Sequence, residues 1–249
     1  MPTALVTGAS SGIGLEIARI LAKDHEVTIA ARSADKLDAL AAEIGGASVF
    51  AVDLSDPEGP HQLVAELPAV DVLVNNAGFA DWSAFADASE TKLDEMIELN
   101  IGALTRLTRA YLPGMLERRN GRVMNLASTA AFQPGPLMAV YYATKAYVLS
   151  LSEALAEETR GTGVTVTALC PGPTASGFQA RAEMEDSRLV KGRKLPTAAE
   201  VAAYGVKAMN RGDVVAVPGF MNKAMAASVR FSPRPVIRRV VHRMQDAKT

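Results

Sequence analysis

At 249 residues, with 49% apolar and 21% charged side chains, the chain has the composition of a folded globular protein with a substantial core. The net charge of −1 is unevenly spread: from residue 222 onward there are seven basic residues against one acid, Asp246, while the first 221 carry 19 basic and 26 acidic groups. A basic C-terminal extension thus follows an acidic body, and with no nucleic-acid-binding motif in it, nucleic acid is not an expected partner. The lone Cys170 cannot form an internal disulfide, and no secretory signal precedes the first strand, so a reducing, cytoplasmic compartment is expected.

Apolar runs of strand length at residues 4–6, 27–31, 48–52, 72–74, 122–126, 164–169 and 214–217 alternate with helical patterns at 13–22, 35–44, 58–67, 90–118 and 142–159. Strands apolar on both faces and joined by helices require a parallel sheet covered on both sides. Right-handed crossovers then give a doubly wound, Rossmann-like α/β fold of about seven strands, read as one domain over residues 1–249. The capping box Thr197-Ala198-Ala199-Glu200 opens a further helix, and the charged stretch 179–194 reads as a surface excursion. Uncharged stretches at 123–144 and 161–180 reach membrane-spanning length. Pro134, Gly135, Pro136, Pro171, Gly172 and Pro173 interrupt them, so both are read as buried strands running into loops.

Between the first strand and the first helix lies Gly8-Ala9-Ser10-Ser11-Gly12-Ile13-Gly14. Glycines at these points let the backbone approach a pyrophosphate, which the N-terminus of the following helix attracts. The second strand ends in Ala31-Arg32, with no acid to bind a ribose 2′-hydroxyl. A guanidinium there suits a 2′-phosphate, so NADP(H) is the expected cofactor; the alternative is a solvated surface arginine. Asp53 follows the third strand, where its carboxylate can accept from an adenine amino group or cap a helix. Asn76 follows the fourth, where it can hold a turn or touch a ribose.

With Thr7 in front, the Gly8-x-x-x-Gly12-x-Gly14 spacing resembles that of the short-chain dehydrogenase/reductase family. The family's other marks occur in order: Asp53-Leu54, Asn75-Asn76-Ala77-Gly78, Asn100, Ser128, Tyr141-x-x-x-Lys145 and Pro171-Gly172. The resemblance implies a cofactor site built from Gly8, Ser10, Ser11, Gly12, Ile13, Gly14, Arg32, Asp53, Leu54, Asn76, Ala77 and Gly78. Tyr141, Lys145, Pro171, Gly172, Thr174 and Ser176 complete it, with Ser176 in place of the family's usual threonine. It also implies Tyr141 as acid or base, Lys145 lowering its pKa, Ser128 binding the substrate oxygen, and Asn100 holding a water that relays protons. Ser128 has a plainer reading as a turn hydroxyl.

Tyr141 and Lys145, four apart on a helix, share a face, whereas Tyr142 points about 100° away and is assigned to packing. Buried Cys170 has no histidine placed to activate it, and histidines and cysteines are too few for a zinc site, so no metal is expected. Phe79, Trp82, Phe85, Phe132, Leu137, Met138 and Phe178 fall where substrate loops are expected, which suits an apolar carbonyl or alcohol. The competing functional class is an NADP(H)-binding sensor or scaffold that does no chemistry. The resemblance implies a homodimer or homotetramer through the two long helices. The basic tail is expected either to pack on its own acidic body or to touch an anionic membrane surface, any helix in it being confined to the part after Pro235.

Overall fold

The computed structural model describes residues 1–178, 182, 187, 192 and 194–246. Among these, seven strands form one parallel sheet: β1 Thr3–Thr7, β2 Glu26–Ala31, β3 Ser48–Ala51, β4 Val72–Asn75, β5 Gly121–Leu126, β6 Val164–Leu169 and β7 Val215–Ala216. Their order is β3-β2-β1-β4-β5-β6-β7. Each of the seven expected strands is present, with its ends displaced by at most one residue.

Alternation within the strands explains why both sheet faces are covered. Ala4 and Val6 of β1, Val27 and Ile29 of β2, and Val72 and Val74 of β4 join one buried cluster. Helices α1 Gly12–Leu21, α2 Ala34–Glu43 and α7 Ala198–Arg211 supply the rest of it, through residues such as Ile17, Leu37 and Val206. Leu5, Ala30 and Leu73, the residues between, face the opposite cluster. There they meet Leu63 of α3 Gly59–Glu66, Leu107 and Met115 of α5 Leu104–Arg118, and Leu155 of α6 Ala139–Glu158. Burying a side chain of this size removes roughly 1.5–3 kcal/mol of unfavourable hydration, so both faces need their helices. The expected capping box opens α7: the Thr197 hydroxyl accepts from the Glu200 amide at 3.2 Å, and the Thr197 amide donates to the Glu200 carboxylate at 2.8 Å.

Strand order reverses between β1 and β4, which opens a crevice at the carboxyl ends of these strands. The glycine turn after β1 and the Asn76 turn after β4 both lie there.

Two expectations differ from the structure. The single helix at 90–118 is α4 Glu90–Ile97, a π-helical stretch Glu98–Ala103, and then α5. The wider turn coincides with buried Asn100, whose amide is drawn to the Phe79 backbone and Thr144, away from the regular helical repeat. At the C-terminus, α8 Phe220–Val229 is followed by α9 Arg234–Gln245, which begins before Pro235. Proline is compatible with a first helical turn because its missing N–H would have no partner there. The tail packs on its own chain, one of the two placements expected for it: Ile237, Val241 and Gln245 are buried at four-residue spacing, the first two in a cluster with Phe79, Met138, Tyr141 and Tyr142. Of the surface excursion at 179–194, all but Ala182, Ser187, Gly192 and Lys194 lies outside the described residues. No described helix is long and apolar enough to cross a membrane.

Candidate active site

A cleft of about 290 Å³ runs along the carboxyl ends of the strands. Gly8, Ser10, Ser11, Gly12 and Ile13 line it from the β1 turn, Arg32 after β2, and Asp53 and Leu54 after β3. Asn76, Ala77 and Gly78 line it after β4, Ser128 after β5, Tyr141 and Lys145 from α6, and Pro171, Gly172, Thr174 and Ser176 after β6. Of the expected site residues, Gly14 and Asn100 stand behind its wall.

The glycine turn has the shape that a tightly held anion needs. Gly8 and Gly12 have φ of +65° and +60°, the left-handed region that other residues resist. A Cβ on Gly8 would lie 2.8 Å from the Ala77 Cα, and one on Gly14 would fall onto the Asn76 amide nitrogen. That amide donates to the carbonyls of Thr7 at 2.9 Å and Gly8 at 3.1 Å, so Asn76 ties the β4 turn to the β1 turn. Gly12 faces Ser176 across the cleft, its added Cβ 3.4 Å from the Ser176 Cβ. Backbone amides and the N-terminus of α1 lie between these two loops, an arrangement that can hold a pyrophosphate.

At the far end, Arg32 lies 3.6 Å from Asp53, each side chain about half exposed. Asp53 also accepts from the Ser55 amide at 2.9 Å and hydroxyl at 2.6 Å. Desolvation, the largest single influence on this carboxyl, raises its pKa, but the Ser55 hydrogen bonds and Arg32 together outweigh it and hold the group below its usual range. Asp53 thus closes a local turn onto Ser55 and does not cap α3, which begins only at Gly59.

Tyr141 and Lys145 are buried, 8% and 5% exposed, on one face of α6. The Lys145 Nζ donates to the Leu126 carbonyl at 2.6 Å and lies 5.8 Å from the centre of the Tyr141 ring. Burial pushes the Tyr141 phenol well above its ordinary range, while the Ser128 hydroxyl pulls it back. Burial lowers the Lys145 ammonium to about 8, with Cys170 acting weakly in the other direction. Burial is the largest influence on both groups. Ser128 fills its plain structural role as well, accepting from the Ala130 amide at 3.1 Å and donating to the Pro171 carbonyl at 3.4 Å. Asn100 accepts from the Phe79 amide and donates to the Phe79 carbonyl and the Thr144 hydroxyl, at 3.0–3.1 Å. A Cβ on Gly78 would stand 2.8 Å from the Asn100 oxygen and 3.6 Å from the Lys145 Nζ, so only glycine leaves that corner open.

The apolar wall departs from expectation. Of the seven expected side chains, Met138 and Phe178 line the cleft, Phe79 is buried behind it, and Phe85 is 67% exposed. Phe132 packs in a separate cluster with Leu104 and Val148. Tyr142 does more than pack: it lines the cleft, and its hydroxyl accepts from the Gln245 amide at 2.6 Å. The backbone carbonyl of Gln245 accepts from the Trp82 indole at 3.1 Å. Val241, Met244 and Gln245 of α9 and Met225 of α8 complete the wall. The sequence carried a signal for α9 in the spacing of Ile237, Val241 and Gln245, obscured by its arginines. Cys170 is fully buried and its thiol is pushed up to about 12 by burial, so it is no thiolate nucleophile.

The profile of the family described as short chain dehydrogenase matches residues 2–187. The chain belongs to the short-chain dehydrogenase/reductase family. It is an oxidoreductase by that membership, with the family's seven-stranded Rossmann-like sheet. An uncharacterised oxidoreductase of Bacillus subtilis, YvaG, is 42% identical over 179 residues, 69% of this chain and 68% of that one. A short-chain dehydrogenase from Sphingobium yanoikuyae, solved in complex with NADPH, superposes with a TM-score of 0.84 at 30% identity over 93% of each chain. A bulky-bulky ketone specific alcohol dehydrogenase from Comamonas testosteroni gives 0.80 at 27% identity, over 93% of this chain and 92% of that one.

Proposed function

We propose that the protein is an NADP(H)-dependent carbonyl reductase for bulky, apolar ketones, acting as one domain in which α8 and α9 form part of the substrate wall. The observation that carries the reading is the convergence of Ser128, Tyr141 and Lys145 on one cleft, beside a glycine cradle that side chains would fill. When bound, the cofactor supplies a hydride to the carbonyl carbon. Tyr141, held protonated by its burial, donates its proton to the oxygen on which negative charge develops. The Ser128 hydroxyl hydrogen-bonds the same oxygen and stabilises that charge. Lys145 holds the ribose and keeps positive charge next to the phenol as the proton leaves. Asn100 fixes the backbone at Phe79 and positions a relay water towards Lys145. Met138, Phe178, Val241 and Met244 exclude water and favour an apolar substrate. The relatives with bound NADPH and with bulky-ketone specificity support both halves of the reading, and a homodimer or homotetramer through α5 and α6 follows the family's habit.

Cofactor choice rests on Arg32. Its ion pair with Asp53 is half exposed and of little energetic consequence, so the guanidinium is free to turn to a phosphate. Arg32→Asp should weaken NADPH binding by about 10- to 100-fold, the equivalent of one charge-assisted contact, and bring NADH up to or past it. Calorimetry with both cofactors checks this; tighter NADH binding by the wild type would contradict it.

A pH profile follows from the two buried groups. Tyr141 keeps its proton across the working range, while Lys145 loses its charge above about pH 8. The kcat/KM for ketone reduction should be flat below about pH 8 and fall towards tenfold per pH unit above it. A rate that rises with pH through this window would contradict the assignment.

A further inference from the structure

Between residues 214 and 245 the chain contains no acid and six bases: Lys223, Arg230, Arg234, Arg238, Arg239 and Arg243. All six are exposed, and the five arginines form no ion pair among the described residues. Large apolar side chains stand among them. Phe220, Met221 and Phe231 are 82%, 77% and 89% exposed, and Val236 and Val240 about half. On α9, Val236 and Val240 are four apart, as are Arg239 and Arg243, and the two pairs are offset by three, so these four side chains form one contiguous stripe. The opposite stripe, Ile237 and Val241, is anchored in the cluster that holds Tyr141 and also receives Val229 of α8. The outward faces of both helices are therefore fixed in place and point away from that cluster.

Aromatic and aliphatic groups interleaved with unpaired arginines satisfy both demands of an anionic bilayer surface: apolar atoms enter the headgroup boundary while cations meet phosphate. A second copy of the chain is the poorer occupant, because a two-fold contact presents the same patch to itself and would set these cations against their own counterparts. We infer that the outward face of α8 and α9 is a docking surface for anionic lipid. No described helix can span a membrane, so the attachment is peripheral. The inner side of α9 lines the cleft through Val241, Met244 and Gln245, which puts the lipid-facing stripe and the substrate wall on opposite sides of one helix. The docking surface stands independently of the reductase reading.

The test is co-sedimentation of the full chain with vesicles of phosphatidylcholine alone and of phosphatidylcholine with about a third phosphatidylglycerol. Binding is expected on the anionic vesicles at low salt, fading as ionic strength rises, with none on the neutral ones. Arg239→Gln with Arg243→Gln should cut the partition coefficient about 30-fold, two basic residues at about 1 kcal/mol each. Both positions are exposed, and unchanged melting and NADPH affinity would show the fold intact. Val236→Ser with Val240→Ser should weaken binding at all salt concentrations. No binding to anionic vesicles at low salt would overturn the proposal, as would equal binding to both compositions. Self-association that the arginine pair abolishes would overturn it in favour of a second copy.

Discussion

Deleting the chain from Pro235 onward should abolish ketone reduction and lower the melting temperature by on the order of 10 °C. The deletion removes Ile237 and Val241 from the cluster around Tyr141, at roughly 1.5–3 kcal/mol for each buried side chain. It also removes Gln245, which bridges the Tyr142 hydroxyl and the Trp82 indole. For a domain whose whole stability is about 5–15 kcal/mol this is a large fraction, yet the sheet and the glycine cradle are built elsewhere. NADPH affinity should therefore survive better than turnover. A thermal melt and a turnover assay on the truncated chain check both effects. Unchanged values would show that α9 is an appendage and no part of the wall.

Tyr141→Phe should lower kcat by about 10³-fold, in the range removed with a positioned proton donor, and leave NADPH binding within about twofold. The ring and its packing against Phe178, centroids 5.6 Å apart, remain. Tyr142→Phe separates chemistry from architecture. It takes away the hydroxyl that Gln245 donates to and leaves a buried amide unpaired, at about 1–3 kcal/mol of stability. Its kcat should stay within a few-fold of wild type while the melting temperature falls. Steady-state kinetics and melts on the two variants distinguish them; equal losses of kcat would undo the division of roles.

The sheet was legible because its strands are apolar on both faces and bounded by turn residues, a pattern that a parallel sheet demands. The glycine turn was legible because few other structures need glycine at 8, 12 and 14 together. The π-helical turn at Asn100 was not, since the 90–118 periodicity continues across it and the cause, the Phe79 backbone, is distant in sequence. Lys145 near Tyr141 was anticipated, but the balance between its charge and their shared burial depends on packing density that spacing does not encode. The C-terminal wall was hidden for a related reason. Arginines at 238, 239 and 243 dominate the composition of α9, whereas three residues at four-residue spacing decide where it packs. Tyr142 was assigned to packing by helical geometry alone, and its polar role appears only when α9 brings Gln245 to it.

The proposed reaction is hydride transfer in this cleft from a nicotinamide to an apolar ketone, with the proton supplied by Tyr141. Its most direct test uses NADPH carrying deuterium at the transferable C4 position, with an aryl alkyl ketone and a dialkyl ketone as substrates. Mass spectrometry of the product from wild-type protein should show one deuterium on the carbinol carbon, with NADP+ formed in equal amount, and the Tyr141→Phe protein should form about 10³-fold less of it. NADPH bound tightly, with no deuterated alcohol from any ketone or aldehyde offered, would contradict the account and leave a protein that binds the cofactor without using it.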